Sequence, residues 1–428
     1  MTADKIVISF DDDELPAGTA GENKENSSSD NKAAIPASPL LNENVSEVKT
    51  PVNFINTQID YFFKANTSLS GFMESDLKFP EGTDRGFNKN YSIDFKDGFF
   101  SGILYNNKHI ILTSKTSFVY FVERIYSENK ITLSFPGSIF EKTGCIKEND
   151  VYLNSLDNVY HLRSSDIPSK ENIKTLFTVP EKFYIWTNLN IAGDNIAFCI
   201  YDSSHEAIVT LINRITGEVI FKFNFQVDKF LSDSVLVCGN KFFVFADNFF
   251  LCFEKNSGDE LTVRRYELKF YIDPETKYIA LKDKLYISDA EGSIYYQDLK
   301  SSDFILHYTG IRTPYLNSLA GFRDILFTGY LGGWKAFDSN GVQIFSHNDI
   351  EENKIETLNK NILVISRFNK IIFHNLNRFQ EAEGFAVSGD SPDNTSIISA
   401  AFTSDEILVL TGGGVLESYS NERININV

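Results

Sequence analysis

Several features that often mark membrane proteins, secreted proteins or enzymes are scarce in this 428-residue sequence. It contains two Trp, two Met and four Cys, and its charged residues are mostly acidic. No apolar run reaches the length of a membrane-spanning helix, and the amino-terminal stretch lacks the basic start and apolar segment of a secretory signal. We therefore expect a soluble, intracellular protein that makes no membrane contact.

The rare cysteines and histidines give no sign of a metal site. Cys145, Cys199, Cys238 and Cys252 have no close CxxC pairing and lie mostly inside apolar runs, which favours free thiols that pack as small hydrophobic side chains. The six His are scattered without an i, i+4 pair, so the sequence predicts no zinc site. The formal net charge of -18 argues against direct nucleic-acid binding, which depends on clustered Lys and Arg.

Composition divides the chain into an arm and a body. Residues 16–50 are rich in Ala, Ser, Asn, Glu and Lys and have too little apolar surface to offset the entropy of ordering. From about residue 53, Phe and Tyr become frequent, and short apolar runs alternate with Asn, Asp, Gly and Ser, a pattern typical of β-strands and turns. We predict a disordered acidic arm over residues 1–52 and an all-β body over residues 53–428.

The body repeats a polar turn followed by a short apolar strand. Eight copies align, from "NNKHIILTS" to "SDEILVLT". Their first apolar residues are Ile110, Val151, Ile196, Phe242, Leu285, Ile325, Ile362 and Ile407. The mean spacing is about 42 residues, the length of one four-stranded propeller blade. The sequence therefore predicts a single β-propeller of about eight four-stranded blades, with seven as the alternative.

A propeller of this kind must hide the sheet edges of its first and last blades. It does so by closing the ring with a strand from the other terminus. The segments "YSIDF" (91–95) and "VNFIN" (52–56) are the candidates for that strand, and the final "NERININV" also alternates as a strand should.

Several polar-Gly turns between the apolar strands suggest a family. "INRITGEVIF", "FDSNGVQIF" and "FEKNSGDEL" resemble the blade ends of pyrroloquinoline-quinone-type (PQQ-like) propellers, whose repeats run from an apolar strand through Asp or Asn and Gly into the next strand. WD-repeat blades are less similar, because the sequence has no Trp-Asp dipeptide and no Gly-His pair. Such folds host dehydrogenases, hydrolases, exchange factors and scaffolds, so the resemblance implies architecture only.

No motif of the body indicates a particular chemistry. A quinone-dependent dehydrogenase would need an aromatic platform, a calcium-binding loop and export, none of which the sequence suggests, so we predict no cofactor, no metal and no catalytic residue. Acidic residues recur at one position of the repeat, in the polar turn before the aligned strand, and we expect them to accept hydrogen bonds from the backbone of their own turns. They are Asp150, Asp194, Asp283, Asp324 and Asp405.

The arm carries short segments that resemble recognition motifs. In "KIVISFDDDEL" an apolar run precedes an acidic run, the order of parts in a SUMO-interacting motif, although Ser9 departs from the strictest pattern. Such a segment can add as a strand to a sheet edge while its acids meet basic residues. The residues concerned are Ile6, Val7, Ile8, Phe10, Asp11, Asp12, Asp13 and Glu14. The alternative is an ordinary terminal strand or an inert tail.

Other arm segments resemble regulatory signals. Lys24, Glu25 and Asn26 form a "KEN" sequence like the degradation box read by the anaphase-promoting ligase. Ser38 and Thr50 each precede Pro, the minimal pattern of a proline-directed phosphorylation site. Each pattern also arises by chance in a tail of this composition. Together they favour the nucleus over the cytoplasm.

Three functions are compatible with these observations. The first is a non-catalytic scaffold or adaptor that binds other proteins of a multi-subunit complex, with SUMO or a sumoylated protein as a candidate partner of the arm. The second is an enzyme or exchange factor that acts at the central pore, which a polar cluster with shifted pKa values at one mouth would indicate. The third is a lectin-like propeller that binds sugars or peptides through exposed aromatic residues.

Overall fold

The computed structural model describes residues 87–420, apart from gaps at 97–98, 125–126, 143, 149, 164–165, 256–260, 282, 301–305, 323–324, 353, 360–361, 376–379, 388–395 and 403–405. The described residues form 32 β-strands in eight antiparallel sheets and contain no helix. Accordingly, no helix able to cross a membrane occurs in this part of the chain.

Sheets 1 to 4 follow one another along the first half of the body. Sheet 1 contains β2 (Phe100–Tyr105), β3 (His109–Ser114), β4 (Phe118–Glu123) and β5 (Lys130–Ser134). Sheet 2 contains β6 (Cys145–Lys147), β7 (Asp150–Asn154), β8 (Asn158–Leu162) and β9 (Lys174–Thr178). Sheet 3 contains β10 (Phe183–Ile185), β11 (Asn190–Ala192), β12 (Asn195–Asp202), β13 (Glu206–Asn213) and β14 (Val219–Gln226). Sheet 4 contains β15 (Leu236–Cys238), β16 (Lys241–Ala246), β17 (Phe249–Lys255) and β18 (Leu261–Glu267).

Sheets 5 to 8 complete the ring. Sheet 5 contains β19 (Tyr278–Leu281), β20 (Lys284–Ser288), β21 (Ser293–Asp298) and β22 (His307–Arg312). Sheet 6 contains β23 (Leu316–Phe322), β24 (Ile325–Phe337) and β25 (Gln343–Glu352). Sheet 7 contains β26 (Lys354–Asn359), β27 (Ile362–Arg367), β28 (Lys370–Asn375) and β29 (Gln380–Ala386). Sheet 8 contains β30 (Ile397–Phe402), β31 (Ile407–Thr411), β32 (Val415–Ser420) and the amino-terminal β1 (Asn88–Asp94).

The strand sequences explain both the strands and the turns. In β14 the side chains of Phe221, Phe223 and Phe225 are buried while their neighbours are more exposed, the alternation of a half-buried strand. The hairpin turns are held by short polar side chains. The carboxylate of Asp289, for example, accepts hydrogen bonds from the backbone N–H groups of Glu291 and Ser293, at 3.0 and 2.8 Å.

Seven sheets contain a path of four hydrogen-bonded strands, and sheet 6 contains three. In sheet 6 the long β24 doubles back on itself. The rings of Phe327 and Trp334 are 6.2 Å apart, whereas seven extended residues would span about 23 Å. The reversal needs glycine at Gly333, where φ is 137° and a Cβ would collide with the carbonyl oxygen of His347. Seven of the sheets are thus four-stranded blades, which agrees with the alternative count of seven, and sheet 6 is the exception.

The eight sheets form a ring, and the first strand of each sheet is the innermost. Contacts run in chain order from β2 through β6, β11, β15, β19 and β23 to β26, and β30 contacts β2. A separate apolar core lies between each pair of neighbouring sheets. The core between sheets 8 and 1 includes Leu408 and Leu410 from one and Ile110 and Leu112 from the other. The predicted β-propeller of degenerate repeats is confirmed.

The ring is closed by β1, as the "YSIDF" segment predicted. This strand pairs antiparallel with β32, from Asn88 opposite Ser420 to Asp94 opposite Val415. It thus provides the outermost strand of a sheet whose other three strands come from the carboxyl-terminal end of the described chain. The other two segments considered for closure, "VNFIN" and "NERININV", lie outside the described residues.

Antiparallel pairing gives the ring two distinct faces. Within each sheet the first and third strands run one way and the second and fourth the other way, when the two halves of β24 in sheet 6 are counted as a second and a third strand. The turns between second and third strands therefore lie on the same face as the crossings from one sheet to the next, and we name this the upper face. The turns between first and second and between third and fourth strands form the lower face.

Candidate interaction face

The arm residues that the sequence singled out lie outside the described residues. They are Ile6, Val7, Ile8, Phe10, Asp11, Asp12, Asp13 and Glu14 of the SUMO-interacting-like segment, Lys24, Glu25 and Asn26 of the "KEN" sequence, and Ser38 and Thr50 before proline. Their use as recognition motifs stays a prediction, as does the predicted disorder of the arm.

Three of the recurring turn aspartates contact basic side chains, which the sequence did not predict. Asp150 lies 3.1 Å from the imidazole of His161, measured between Oδ2 and Nε2. Asp194 lies 3.5 Å from Arg214, and Asp283 lies 2.6 Å from Lys300. In sheets 2, 3 and 5 the acid at the start of the second strand thus meets a basic side chain near the end of the third. Asp324 and Asp405 lie outside the described residues.

These pairs make the lower face polar. Around Arg214, the guanidinium donates to the Tyr152 hydroxyl at 3.3 Å and to the Glu148 carboxylate at 3.2 Å. The ring of Tyr152 stacks on His161 at 4.8 Å. Burial raises the pKa of Tyr152 to about 12 and lowers the pKa of His161, although Asp150 opposes the latter shift. Since these groups pair with one another between sheets 2 and 3, we interpret the cluster as structural.

The upper face exposes aromatic side chains. Phe99, Tyr271, Tyr315 and Phe368 are between 55% and 75% exposed, and each lies in a sheet crossing or in a turn between second and third strands. Backbone hydrogen bonds tie the two kinds of loop together, as from Leu331 N–H to the Tyr315 carbonyl at 3.3 Å.

The turns of the lower face expose fewer aromatic side chains. Among the described residues, the large apolar side chains exposed in these turns belong to Ile167, Ile215 and Val342, and none is aromatic. The exposed Tyr308 lies near the lower end of β22, within the strand itself. Exposed aromatic residues are a common feature of protein-binding surfaces. The upper face is therefore the candidate interaction face.

Three further aromatic side chains form a compact group on this face, which we name the aromatic triad: Tyr184, Trp186 and Tyr201. The ring centroids of Tyr184 and Trp186 are 5.9 Å apart, those of Trp186 and Tyr201 5.7 Å, and those of Tyr184 and Tyr201 6.0 Å. The three ring planes are steeply inclined to one another, by 56° to 83°. All three side chains are half-buried.

An interruption of the innermost strand of sheet 3 positions the triad. Both β10 and β11 pair with β12, one after the other, and the chain leaves the ladder between them. Tyr184 lies directly opposite Tyr201 in this pairing, and Trp186 follows two residues later on the same side. The Trp186 indole N–H donates to the carbonyl oxygen of Leu231 at 2.8 Å, which fixes the ring against sheet 4.

Polar groups surround the inner ends of the crossing loops, at the upper mouth of the ring. Lys142 forms an ion pair with Asp233 at 3.3 Å, and the Asn188 amide donates to the Ser234 hydroxyl at 3.2 Å. Burial lowers the pKa of Lys277, whose ammonium donates to the Pro274 carbonyl oxygen at 3.0 Å. Within the described residues, no group of three or more His, Cys, Asp or Glu side chains is placed to hold a metal ion.

The first described strand begins on the other side of the disc. Because β1 is the fourth strand of its sheet, it starts at the lower face, at Asn88 opposite Ser420. The described chain therefore begins at the lower edge of sheet 8, on the face opposite the exposed aromatic residues.

Comparisons with known proteins support the architecture. No family model matches the sequence, and no curated protein matches it. BamB from Moraxella catarrhalis, a PQQ-like β-propeller, is similar in structure, with a TM-score of 0.56 and 12% identity over 78% of this chain and 100% of that one. The computationally designed Ika8 protein has a TM-score of 0.58 and 12% identity over 76% of this chain and 97% of its own.

These comparisons define the class of fold. At 12% identity the likeness shows the fold alone, and it agrees with the PQQ-like resemblance of the turn sequences. The chain is a β-propeller with an amino-terminal extension. Which molecules it binds has to be argued from its own surface.

Sequence reasoning missed the aromatic triad. One signal was present, because Trp186 is one of only two Trp in the chain and follows Tyr184 at the two-residue spacing of one strand face. The same spacing is typical of strand residues that pack into the core. Only the interrupted pairing with β12 shows that these side chains reach the upper face.

Proposed function

We propose that the protein is a non-catalytic scaffold or adaptor subunit of an intracellular, nuclear multi-protein complex. The propeller binds protein partners through its upper face, and the arm carries a SUMO-interacting motif. The observation that supports this most strongly is the concentration of exposed aromatic side chains on the upper face, including Phe99, Tyr315 and Phe368. Such side chains lose little conformational entropy on binding and supply most of the energy of many interfaces.

In the proposed adaptor, the arm and the upper face hold different partners, and the protein brings the two together. The described chain begins with β1 at the lower edge of sheet 8, on the face opposite the exposed aromatic residues.

Substitution of the upper-face aromatics should release the partners of the propeller. We expect a chain with Phe99→Ser, Tyr315→Ser and Phe368→Ser to lose stoichiometric partners in affinity purification with mass spectrometry. Each side chain, if it lies at an interface centre, should weaken binding about tenfold or more. The matched control carries Ile167→Ser and Val342→Ser, two exposed lower-face side chains. Partners that co-purify with the aromatic variant but not with the control would place the interface on the lower face instead.

The arm motif should act independently of the propeller. We expect purified SUMO to bind the full chain, and the variant Ile6→Ala, Val7→Ala, Ile8→Ala to lose that binding, because these side chains would fill the groove beside the added strand. The matched control is Lys24→Ala, Glu25→Ala, Asn26→Ala in the same arm. Equal SUMO affinity of the two triple variants, measured by titration calorimetry, would reject the motif.

A second candidate function is an enzyme or exchange factor at the central pore. The polar groups at the upper mouth favour it, in particular Lys277 with its lowered pKa near Asp233. However, Lys277 donates to Pro274, Lys142 pairs with Asp233, and Asn188 bonds Ser234, so these groups already hold neighbouring crossing loops together. We therefore rank the scaffold first.

A further inference from the structure

The aromatic triad has a geometry suited to one cation. Its centroids form a nearly equilateral triangle with sides of 5.7, 5.9 and 6.0 Å. A positive charge placed over the middle of this triangle lies within about 6 Å of all three centroids, the range in which ring faces attract cations. The inclined rings of Tyr184, Trp186 and Tyr201 pack on one another, so a cation would sit over the outer side of the group and not between the rings.

The surroundings of the triad are negative. Asp202 follows Tyr201 directly, and its carboxylate accepts hydrogen bonds from the backbone N–H groups of Ser204 and Glu206, at 2.9 Å each. The Ser204 hydroxyl adds a third at 2.6 Å. These bonds lower the pKa of Asp202 despite its burial and keep it ionised.

Two further carboxylates act on the triad. Burial raises the pKa of Tyr184, and Asp202 and Glu141 raise it further. Burial likewise raises the pKa of Tyr201, and the neighbouring Tyr184, Asp247 and Asp202 raise it further. A cation over the rings would therefore lie in a field set by at least three carboxylates. An exposed base, Lys182, also lies near Asp202 and opposes that field.

We propose that the aromatic triad binds an alkylammonium group, namely the side chain of a lysine on a partner protein, and a methylated lysine in preference to an unmethylated one. This inference rests on the proposed role of the upper face in binding proteins. An unmodified ammonium is compact and strongly hydrated, so entering the triad would cost it bound water. Methylation spreads the same charge over a larger, less hydrated surface that fits against ring faces.

The probe is a tripeptide, glycyl-trimethyllysyl-glycine, titrated against the full chain. Binding can be followed by tryptophan fluorescence, because the chain has two Trp and the other, Trp334, is fully buried. We expect a dissociation constant of about 1 mM for this isolated contact, and at least tenfold weaker binding of the unmethylated tripeptide. A tripeptide with a neutral tert-butyl group in place of trimethylammonium should also bind at least tenfold more weakly.

Variants locate the site. Tyr184→Ala and Tyr201→Ala should each weaken binding about tenfold, whereas Tyr184→Phe keeps a ring and should keep the affinity. Lys182→Gln removes the opposing charge and should strengthen binding about twofold to threefold at low salt. Tyr271→Ala is the matched control, since Tyr271 is an exposed aromatic of the same face that already lies under Lys229 at 4.3 Å, outside the triad. Thermal melting of each variant checks that the fold is kept.

Several results would overturn the proposal. Equal affinity for the neutral tripeptide would show that apolar contact alone drives binding. Choline chloride binding as tightly as the trimethyllysine peptide would assign the site to a free small molecule. Binding that Tyr184→Ala leaves unchanged would place the probe elsewhere. The proposed scaffold function fails separately, through retention of every partner by the Phe99, Tyr315 and Phe368 variant.

Discussion

A chain that lacks residues 1–96, and with them β1, should lose most of its stability. Without β1 the outer edge of β32 is unpaired, and the half-buried Tyr91 and Ile93 no longer cover the core between sheets 8 and 1. Covering side chains of this size contribute about 1.5–3 kcal/mol each. We expect urea unfolding to show a loss of at least 5 kcal/mol, or no cooperative transition at all, since the total for a folded protein is about 5–15 kcal/mol.

Buried carboxylates enlarge the effect of this truncation. Glu417 is 1% exposed and forms an ion pair with Lys89 of β1 at 3.1 Å. Asn90 of β1 bonds the hydroxyl of Ser418 at 3.1 Å. Removing one partner of a buried ion pair typically costs about 3–5 kcal/mol, and the half-exposed Lys89 places this pair at the low end or below.

The control for the closing strand is a chain that lacks only residues 1–52. It keeps β1 and should unfold at the same urea concentration as the full chain. If both truncated chains unfold alike and cooperatively, the ring does not depend on β1, and our account of closure is wrong. A chain that ends at residue 418 loses the pairing of Asn88 and Lys89 and should show an intermediate loss.

The sequence was sufficient to predict the repeat but not the surface. All eight aligned residues, such as Ile110, Phe242 and Ile407, lie in the second strand of a sheet. They are recognisable because second strands such as β3 and β31 are buried on both faces and read as continuous apolar runs. Turn residues such as Asp289 and Asp338 are also typical of hairpins, because the backbone of the turn needs a short side chain that accepts its hydrogen bonds.

Contacts between distant segments could not be predicted. Asp150 meets His161 and Asp194 meets Arg214 through the register of neighbouring strands, which a short motif does not specify. Trp186 reaches the upper face only because the pairing of β12 passes from β10 to β11 around it. The position of the aromatic triad therefore depends on the interrupted pairing in sheet 3, whereas the repeat that the sequence reveals is common to all the sheets.

Truncation of Phe253 to Ala should be the most damaging single substitution that we predict in the body. The Phe253 ring is fully buried between sheets 3 and 4, stacks on Phe242 at 4.5 Å, and meets the edges of Phe221 and Phe223 at 5.8 and 5.6 Å. The substitution loses the transfer energy of the ring and leaves a cavity among rigid aromatic neighbours, so we expect about 3–5 kcal/mol of destabilisation in urea unfolding. Phe368→Ala, which truncates an exposed ring, should change stability by less than about 0.5 kcal/mol. Because Phe253 of sheet 4 packs against Phe221 and Phe223 of sheet 3, the loss should lower a single cooperative transition of the whole ring. A loss below about 1 kcal/mol would contradict this account of the packing, and a separate early transition would show that the sheets unfold independently.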